Sequence, residues 1–372
     1  MKKRIGLLLI ILLMLASCAP SFDEGEDELV QNEEEPTGQP SIVPTYKLSE
    51  EDYRVILPYR TSKARGATTN QLGDNRLDID ELEQGLMRHS KEFFDPKKLY
   101  FEEGQYLDQT TIFSWIDELN PQVEKEADED VYRKNPRYLS HILEQNYIKR
   151  NEDNSVELAG VSIGLALKSQ YRFQTEVGGA YYYEPISEKE MLEKGQEMAQ
   201  TILERIRKIE GLEKVPIMFA IYREEKRGSA VPGNFVARTY VKDSDMSIDD
   251  WDTIEEDYIL FPSNEAEKKY FDDAQIVNTF GVEIAEFFPN YVGYIGEGFY
   301  VNEELQKLTI EVPIEFNGKA EIIGFAQYTY GLVKDKFPNN YDIEINITSS
   351  HQLEGYIYRK AGEENPIVHL FD

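Results

Sequence analysis

Residues 187–222 decide the fold, and they read SEKEMLEKGQEMAQTILERIRKIEGLEKVPIMFAIY. Ser187 with Glu190 three positions later has the spacing of a capping box, which predicts that a helix begins here. Gly211 is the kind of residue that ends a helix. The apolar run 215–222 follows directly and predicts a strand, and residues 232–241 (PGNFVARTYV) alternate as a second strand would.

The carboxyl-terminal third has the same order of elements. It contains an alternating strand at 307–316, a turn at Asn317 and Gly318, a helix at 320–337, and strands at 341–347 and 353–358. A strand at 156–167 precedes the helix of the first series, so the order strand-helix-strand-strand occurs twice. The sequence therefore predicts an α+β fold with two divergent repeats, each a mainly antiparallel sheet with packed helices. We place the first α+β unit at 48–241 and the second at 242–372.

The segment before residue 156 gives weaker patterns. A strand is expected at 53–57 and a helix at 76–94, where apolar residues recur at helical spacing. Trp115 marks a short helix that stops before Pro121, and His141 lies in another short helical pattern.

The amino terminus indicates export. Lys2, Lys3 and Arg4 precede an apolar run at 5–15 that is too short to span a membrane, which is the layout of a signal peptide. It ends in Leu-Ala-Ser-Cys, at Cys18. We predict a signal peptide at 1–17, cleavage between Ser17 and Cys18, and lipid attachment to Cys18, which would place the chain on the outer face of the cell membrane. An acidic, proline-containing stretch at 18–47 is predicted to be a disordered tether.

Composition excludes some functions. The formal net charge of -30 excludes nucleic acid as a partner, because both would be anionic, whereas cationic partners remain compatible. Cys18 is the only cysteine, so the chain cannot form an internal disulfide bond.

Four segments carry a family resemblance: RLDIDELEQGLMRHSKEFF (76–94), KVPIMFAIYREE (214–225), AVPGNFVARTYV (230–241) and residues 286–328, which begin EFFPNYVGYIGEGFYVNEE. Together they resemble the CamS-like sex pheromone lipoproteins of Gram-positive bacteria, over nearly the whole chain. The resemblance implies two repeats and a signal peptide that is trimmed to a short apolar pheromone for a receptor on another cell. The matching segment here consists of Ile11, Leu12, Leu13, Met14, Leu15, Ala16 and Ser17. It contains Met14 and no Phe, unlike the recognised active peptide, so we predict release of a peptide with weak activity.

We find no motif of a serine hydrolase, nucleotide-binding loop or zinc protease, and the four histidines lack metal-ligand spacing. We therefore predict a non-catalytic binding module without metal or cofactor. The ligand rim is expected on two polar loops, with Arg65, Thr69, Asn70 and Asn234 as the candidate residues.

Two alternatives stay open. A cell-envelope hydrolase could use the carboxylate pair Asp78 and Asp80, or the pair Asp249 and Asp250. A transporter-associated substrate-binding lipoprotein would instead need two lobes with parallel sheets.

Overall fold

The computed structural model describes residues 28–30, 41–43, 51–67, 75–151, 155–288, 290–316, 318–350 and 352–371. The predicted signal peptide, the pheromone segment 11–17, Cys18, Thr69 and Asn70 lie outside these residues. Within the predicted tether, strand β1 (Glu28–Val30) pairs antiparallel with β2 (Ser41–Val43). At these six residues the structure therefore differs from the predicted disorder. In the described ranges, no helix has both the length and the apolar character needed to cross a membrane.

The first unit is a seven-stranded sheet. In spatial order its strands are β11 (Asp252–Thr253), β10 (Asn234–Val241), β9 (Ile217–Glu224), β6 (Val156–Lys168), β5 (Leu139–Arg150), β4 (Leu99–Glu103) and β3 (Arg54–Val55). Its helices are α1 (Ile79–Ser90), α2 (Gln109–Leu119), α3 (Glu129–Lys134) and α4 (Glu188–Ile206). A separate hairpin joins β7 (Gln170–Phe173) to β8 (Tyr182–Pro185). The sheet extends to Thr253, past the predicted unit boundary at Val241.

Helix α4 forms where the sequence predicts it. The side chain of Ser187 accepts a hydrogen bond from the backbone N–H of Glu190, and one face of the helix buries Ile202, Leu203 and Ile206 completely. Burial of each such side chain contributes about 1.5–3 kcal/mol. The helix packs closely on the sheet because Gly195 has no side chain: a Cβ there would lie 2.5 Å from Cδ1 of Leu167.

The second unit is a six-stranded sheet. Its strands, in spatial and chain order, are β12 (Glu256–Phe261), β13 (Ile295–Val301), β14 (Glu304–Pro313), β15 (Asp342–Thr348), β16 (Leu353–Arg359) and β17 (Ile367–Leu370). Helices α5 (Asn264–Lys269), α6 (Phe271–Phe287) and α7 (Lys319–Lys336) accompany it, and a second buried apolar cluster fills the space between sheet and helices.

The two units have the same topology. Strands β4, β5, β6, β9, β10 and β11 are neighbours in that order, as are β12 to β17. In each series the third and fourth strands run parallel and are connected by one helix, α4 or α7, and the other pairs are antiparallel. The predicted mixed α+β fold with mainly antiparallel sheets is confirmed. A gene duplication would produce two units with the same topology. The duplication itself stays a prediction.

One predicted element is wrong. His141 lies in the long strand β5, not in a helix. The sequence LSHILEQNY mixes polar with apolar residues at a spacing that suits either element, and pairing with β4 and β6 makes it a strand.

A buried ionic cluster joins the two units. Glu256, at the start of β12, has a side chain only 1% exposed. Its Oε1 lies 2.9 Å from Nη2 of Arg88 and 3.0 Å from Nε2 of His89, both at the end of α1. Its Oε2 accepts the backbone N–H of Phe235 at 3.2 Å. Burial opposes the ionisation of Glu256, yet His89 and Arg88 outweigh it and keep the pKa of this carboxyl below its usual value.

Candidate functional site

A cavity of about 230 Å³ lies in the first unit, beside the point where β4 ends and β5 continues. Residues 59–67 form a strap along one side of it. Both apolar and polar side chains line the cavity: the apolar ones belong to Ala64, Ile79, Leu82, Ile142 and Leu143, and the polar ones to Ser62, Arg65, Glu83, Glu103, His141 and Glu144.

Hydrogen bonds hold the strap against the end of β4. The backbone N–H of Ser62 donates to Oε2 of Glu103 at 2.5 Å, and the N–H of Lys63 donates to the carbonyl of Gly104 at 3.1 Å. The side-chain amide of Gln105 donates to the carbonyl of Thr61 at 3.0 Å. These bonds join main-chain groups of the strap to residues 103–105 and fix the strap beside the cavity.

Glu144 is a buried carboxylate at the base of the cavity. Its two oxygens accept the backbone N–H groups of Gln105 (2.9 Å), Tyr106 (3.1 and 3.2 Å) and Leu107 (2.7 Å). Burial raises the pKa of Glu144, and these N–H groups act in the opposite direction. Gly104 allows this contact, because a Cβ there would lie 2.7 Å from the Cβ of Glu144.

His141 is the most unusual residue of the cavity. It is only 3% exposed, and its Nδ1 atom has no hydrogen-bond partner among the described residues. Burial lowers the pKa of His141 to about 4, so the imidazole is neutral at pH 7. A buried polar atom without a partner costs about 1–3 kcal/mol, which makes this atom a poor contributor to stability and a candidate ligand contact.

The rim of the cavity carries charges of both signs. Partial burial, with the nearby carboxylates of Glu103 and Asp80, raises the pKa of Glu83, and the charge of Arg65 opposes this shift. Glu103 also accepts a hydrogen bond from the hydroxyl of Tyr59. Burial and this contact raise the pKa of Tyr59 to about 12, so its phenol keeps its proton and remains a donor.

The hydroxyl of Ser62, which also lines the cavity, accepts a hydrogen bond from the backbone N–H of Ala64 at 3.0 Å. Across the described part of the chain, no group of three His, Cys, Asp or Glu side chains is placed to hold a metal ion.

Two larger pockets of about 460 Å³ are open grooves on the surface of the first unit. One lies between the end of α2 and helix α4 and includes Asn120 and Lys194. The other is lined mainly by acidic residues such as Glu126 and Glu176. Neither groove includes a buried side chain that lacks a partner among the described residues, unlike the cavity at His141.

The structure separates the residues predicted for the ligand rim. Arg65 lines the cavity, while Thr69 and Asn70 lie outside the described residues. Asn234 is elsewhere: its Nδ2 donates to the carbonyl of Glu256 at 2.9 Å, which ties β10 to β12. The loop position of Asn234 suggested a rim, whereas the pairing of the two units places it at their junction.

The carboxylate pairs considered for hydrolysis do not line the cavity either. Asp78 caps helix α1 by accepting the N–H of Glu81 at 3.1 Å, and Asp80 lies in the first turn of the same helix. Asp249 accepts a hydrogen bond from Ser247 at 3.3 Å in an exposed turn beside Asp250. The mainly antiparallel sheets also differ from the parallel lobes that the transporter alternative requires.

Sequence reasoning missed His141, Glu144 and Glu103 as site residues. A local signal exists: His141 and Glu144 are polar residues within a strand that is otherwise largely buried. The backbone N–H groups that bond to Glu144 are more than thirty positions away in sequence, and only the folded chain brings them together.

Comparison with known proteins gives one family and similar solved structures. A family model described as the CamS sex pheromone cAM373 precursor matches residues 59–365. The sex pheromone precursor of Lactobacillus salivarius subsp. salivarius UCC118 is 30% identical with a TM-score of 0.82, over 89% of this chain and 99% of that one. The C-terminal domain of the sex pheromone staph-cAM373 precursor of Staphylococcus aureus is 28% identical with a TM-score of 0.69, over 79% and 96%. None of the curated proteins compared with the chain matches it.

Proposed function

Because the chain belongs to the CamS family of sex pheromone precursors, we propose that it is an exported lipoprotein precursor with two products. One product is the short apolar peptide of residues 11–17. The other is the acidic folded region, attached through Cys18 to the outer face of the cell membrane. The basic residues at 2–4, the apolar run and the Leu-Ala-Ser-Cys ending support this proposal.

Lipid labelling tests the anchor. In a Gram-positive host fed with an alkyne-tagged fatty acid, the full-length chain should take up the label and sediment with membranes. Cys18→Ala should lose both properties, because the acceptor thiol is gone, whereas Ser21→Ala in the same segment should keep them. Label that persists in Cys18→Ala would contradict the assigned site.

Mass spectrometry of the culture medium tests the peptide. The heptapeptide ILLMLAS should be present with the wild-type chain and absent with Cys18→Ala. In a plasmid-transfer assay the synthetic heptapeptide should act more weakly than the recognised pheromone. An equal response would contradict the weak activity predicted from Met14 and the missing aromatic ring.

The folded region acts as a non-catalytic binding module, and its binding site is the cavity at His141. The observation that carries this part is the unpaired Nδ1 of a side chain only 3% exposed, in a cavity that the buried carboxylate of Glu144 also lines. A binding site retains such groups at the expense of stability, because a ligand completes their hydrogen bonds.

Proton NMR of the histidine rings in the full-length mature lipoprotein, in detergent micelles, tests the site. Small cationic, neutral and anionic compounds are added in turn, and His141→Leu assigns the His141 signals. At least one class should shift these signals and leave those of exposed His369 unchanged. Shifts confined to His369, or none at all, would contradict a binding site in this cavity.

A further inference from the structure

We propose that the cavity at His141 binds the end of an alkyl chain that carries a primary ammonium group. This inference rests on the binding function proposed for the same cavity and names its ligand class. The ammonium would lie among the carboxylates of Glu83, Glu103 and Glu144, and the alkyl chain against the apolar side chains that line the cavity.

The charges at the cavity select a cation. Three carboxylates line it against one guanidinium, that of Arg65, and His141 is neutral. An anionic ligand would have to approach all three carboxylates, whereas an ammonium gains charge-assisted hydrogen bonds from them. The formal net charge of -30 adds a field that concentrates cations around the whole molecule.

The geometry of His141 gives the second, independent reason. No described residue is hydrogen-bonded to Nδ1 of His141. In the neutral tautomer that carries its proton on Nε2, Nδ1 is an acceptor, and an ammonium, with three N–H donors, can bond to it and to carboxylate oxygens at the same time. A carboxylate or an ether oxygen could not donate to Nδ1 in this tautomer.

The size of the cavity and the apolar side chains that line it set the rest of the ligand. A volume of about 230 Å³ is below the roughly 300–1,000 Å³ of sites for drug-sized compounds. Leu82 and Ile142 both line the cavity and are fully buried. A short methylene chain would gain about 0.8 kcal/mol for each buried CH₂. Such an ammonium could come from a free diamine or from a lysine side chain of a peptide.

Titration calorimetry with the full-length mature lipoprotein in detergent micelles tests the proposal. The probes are 1-aminopentane, 1,5-diaminopentane, 1-pentanol and pentanoate, which share a chain length and differ in charge. Both amines should bind, and pentanol and pentanoate should bind at least tenfold more weakly. The peptide Gly-Lys-Gly distinguishes the sources: binding equal to that of the diamine indicates a lysine side chain, and much weaker binding indicates a free amine.

Two variants locate the site. His141→Leu and Glu103→Gln should each weaken amine binding at least tenfold, because each removes one acceptor of the ammonium. Glu157→Gln, on an exposed carboxylate of β6, is the matched control and should bind as the wild type does. Unfolding measurements on each variant show that it is folded.

The possible failures are distinguishable. Pentanoate binding that is lost in His141→Leu would overturn the ammonium ligand and keep the binding function of the cavity. Amine binding unchanged in both variants would place the amine elsewhere and overturn the proposal. If no probe of any charge binds and the His141 ring signals never shift, both the ligand class and the proposed binding site are wrong.

Discussion

The titration of His141 should make the first unit lose stability in mildly acidic solution. The pKa of a histidine is about 6.5 in an unfolded chain, and burial lowers that of His141 to about 4 in the folded protein. Between these two pH values the imidazole of His141 is protonated in the unfolded state and neutral in the folded state. The stabilisation is therefore complete above about pH 6.5 and is lost as the pH falls through about 4.

The size of this loss of stability follows from the difference between the two pKa values of His141. A difference of about 2.5 pKa units, at about 1.4 kcal/mol per unit, amounts to about 3–4 kcal/mol of unfolding free energy. Because His141 is only 3% exposed, solvent screening takes little from this value. Carboxylates of the chain also titrate near the lower limit, so the difference between wild type and a His141 variant isolates the contribution of this residue.

Urea unfolding between pH 4 and 7 measures the contribution of His141 to the unfolding free energy, with tryptophan fluorescence as the signal. Trp115 and Trp251 both pack against the apolar core of the first unit, and His141 lies in a strand of the same unit. In His141→Leu the pH dependence should be smaller by about 3 kcal/mol over this range. At pH 7 the variant should be at least as stable as the wild type, because an unpaired buried atom is removed.

His369→Gln is the matched control, since His369 is exposed and should leave the pH profile unchanged. If wild type and His141→Leu lose stability in parallel between pH 6.5 and 4, the reasoning from burial is refuted.

Three further substitutions and one control test the packing, each by chemical unfolding at pH 7. Glu256→Gln should lower the unfolding free energy by about 3 kcal/mol, because it leaves the buried cluster between the units without its anion; Glu255→Gln, on an exposed neighbour, should change it little. The stabilising charge of Glu256 is present above its normal pKa and is lost at lower pH, so wild type and variant should converge in acid. Gly104→Ala should cost about 1–3 kcal/mol, because its Cβ would overlap Glu144. Gly324→Ala, in helix α7 with open space around it, should instead add about 0.5–1 kcal/mol. Equal effects of the two glycine substitutions would contradict the close approach at Glu144.

Local sequence signals predicted much of the fold. The capping residue Ser187 and the apolar face that follows placed α4 correctly at its start, and the alternating strand and helix at 307–337 correspond to β14 and α7. Helix α6 (Phe271–Phe287) was missed. It is apolar on several sides, including exposed Phe271, Val282 and Phe287, so it lacks a clear amphipathic period.

The candidate site was less predictable, since its partners are distant in sequence. Arg65 was chosen because it lies in a polar loop, and the same argument chose Asn234, which lies at the junction of the units. The role of Glu144 depends on three N–H groups at 105–107, which come from a loop that no local pattern connects with β5.

The strand order also has a mechanical consequence. Strand β3 (Arg54–Val55) has only two residues, lies at the edge of the seven-stranded sheet, and is the first strand of that sheet along the chain. The strap beside the cavity follows directly after it. If the chain is held at residue 18, any pulling force between cell surface and folded region reaches the seven-stranded sheet first at this edge strand. The load then passes to the few hydrogen bonds of the strap before it reaches the long central strands. The side of the cavity that the strap forms would thus open under tension while the long central strands remain paired.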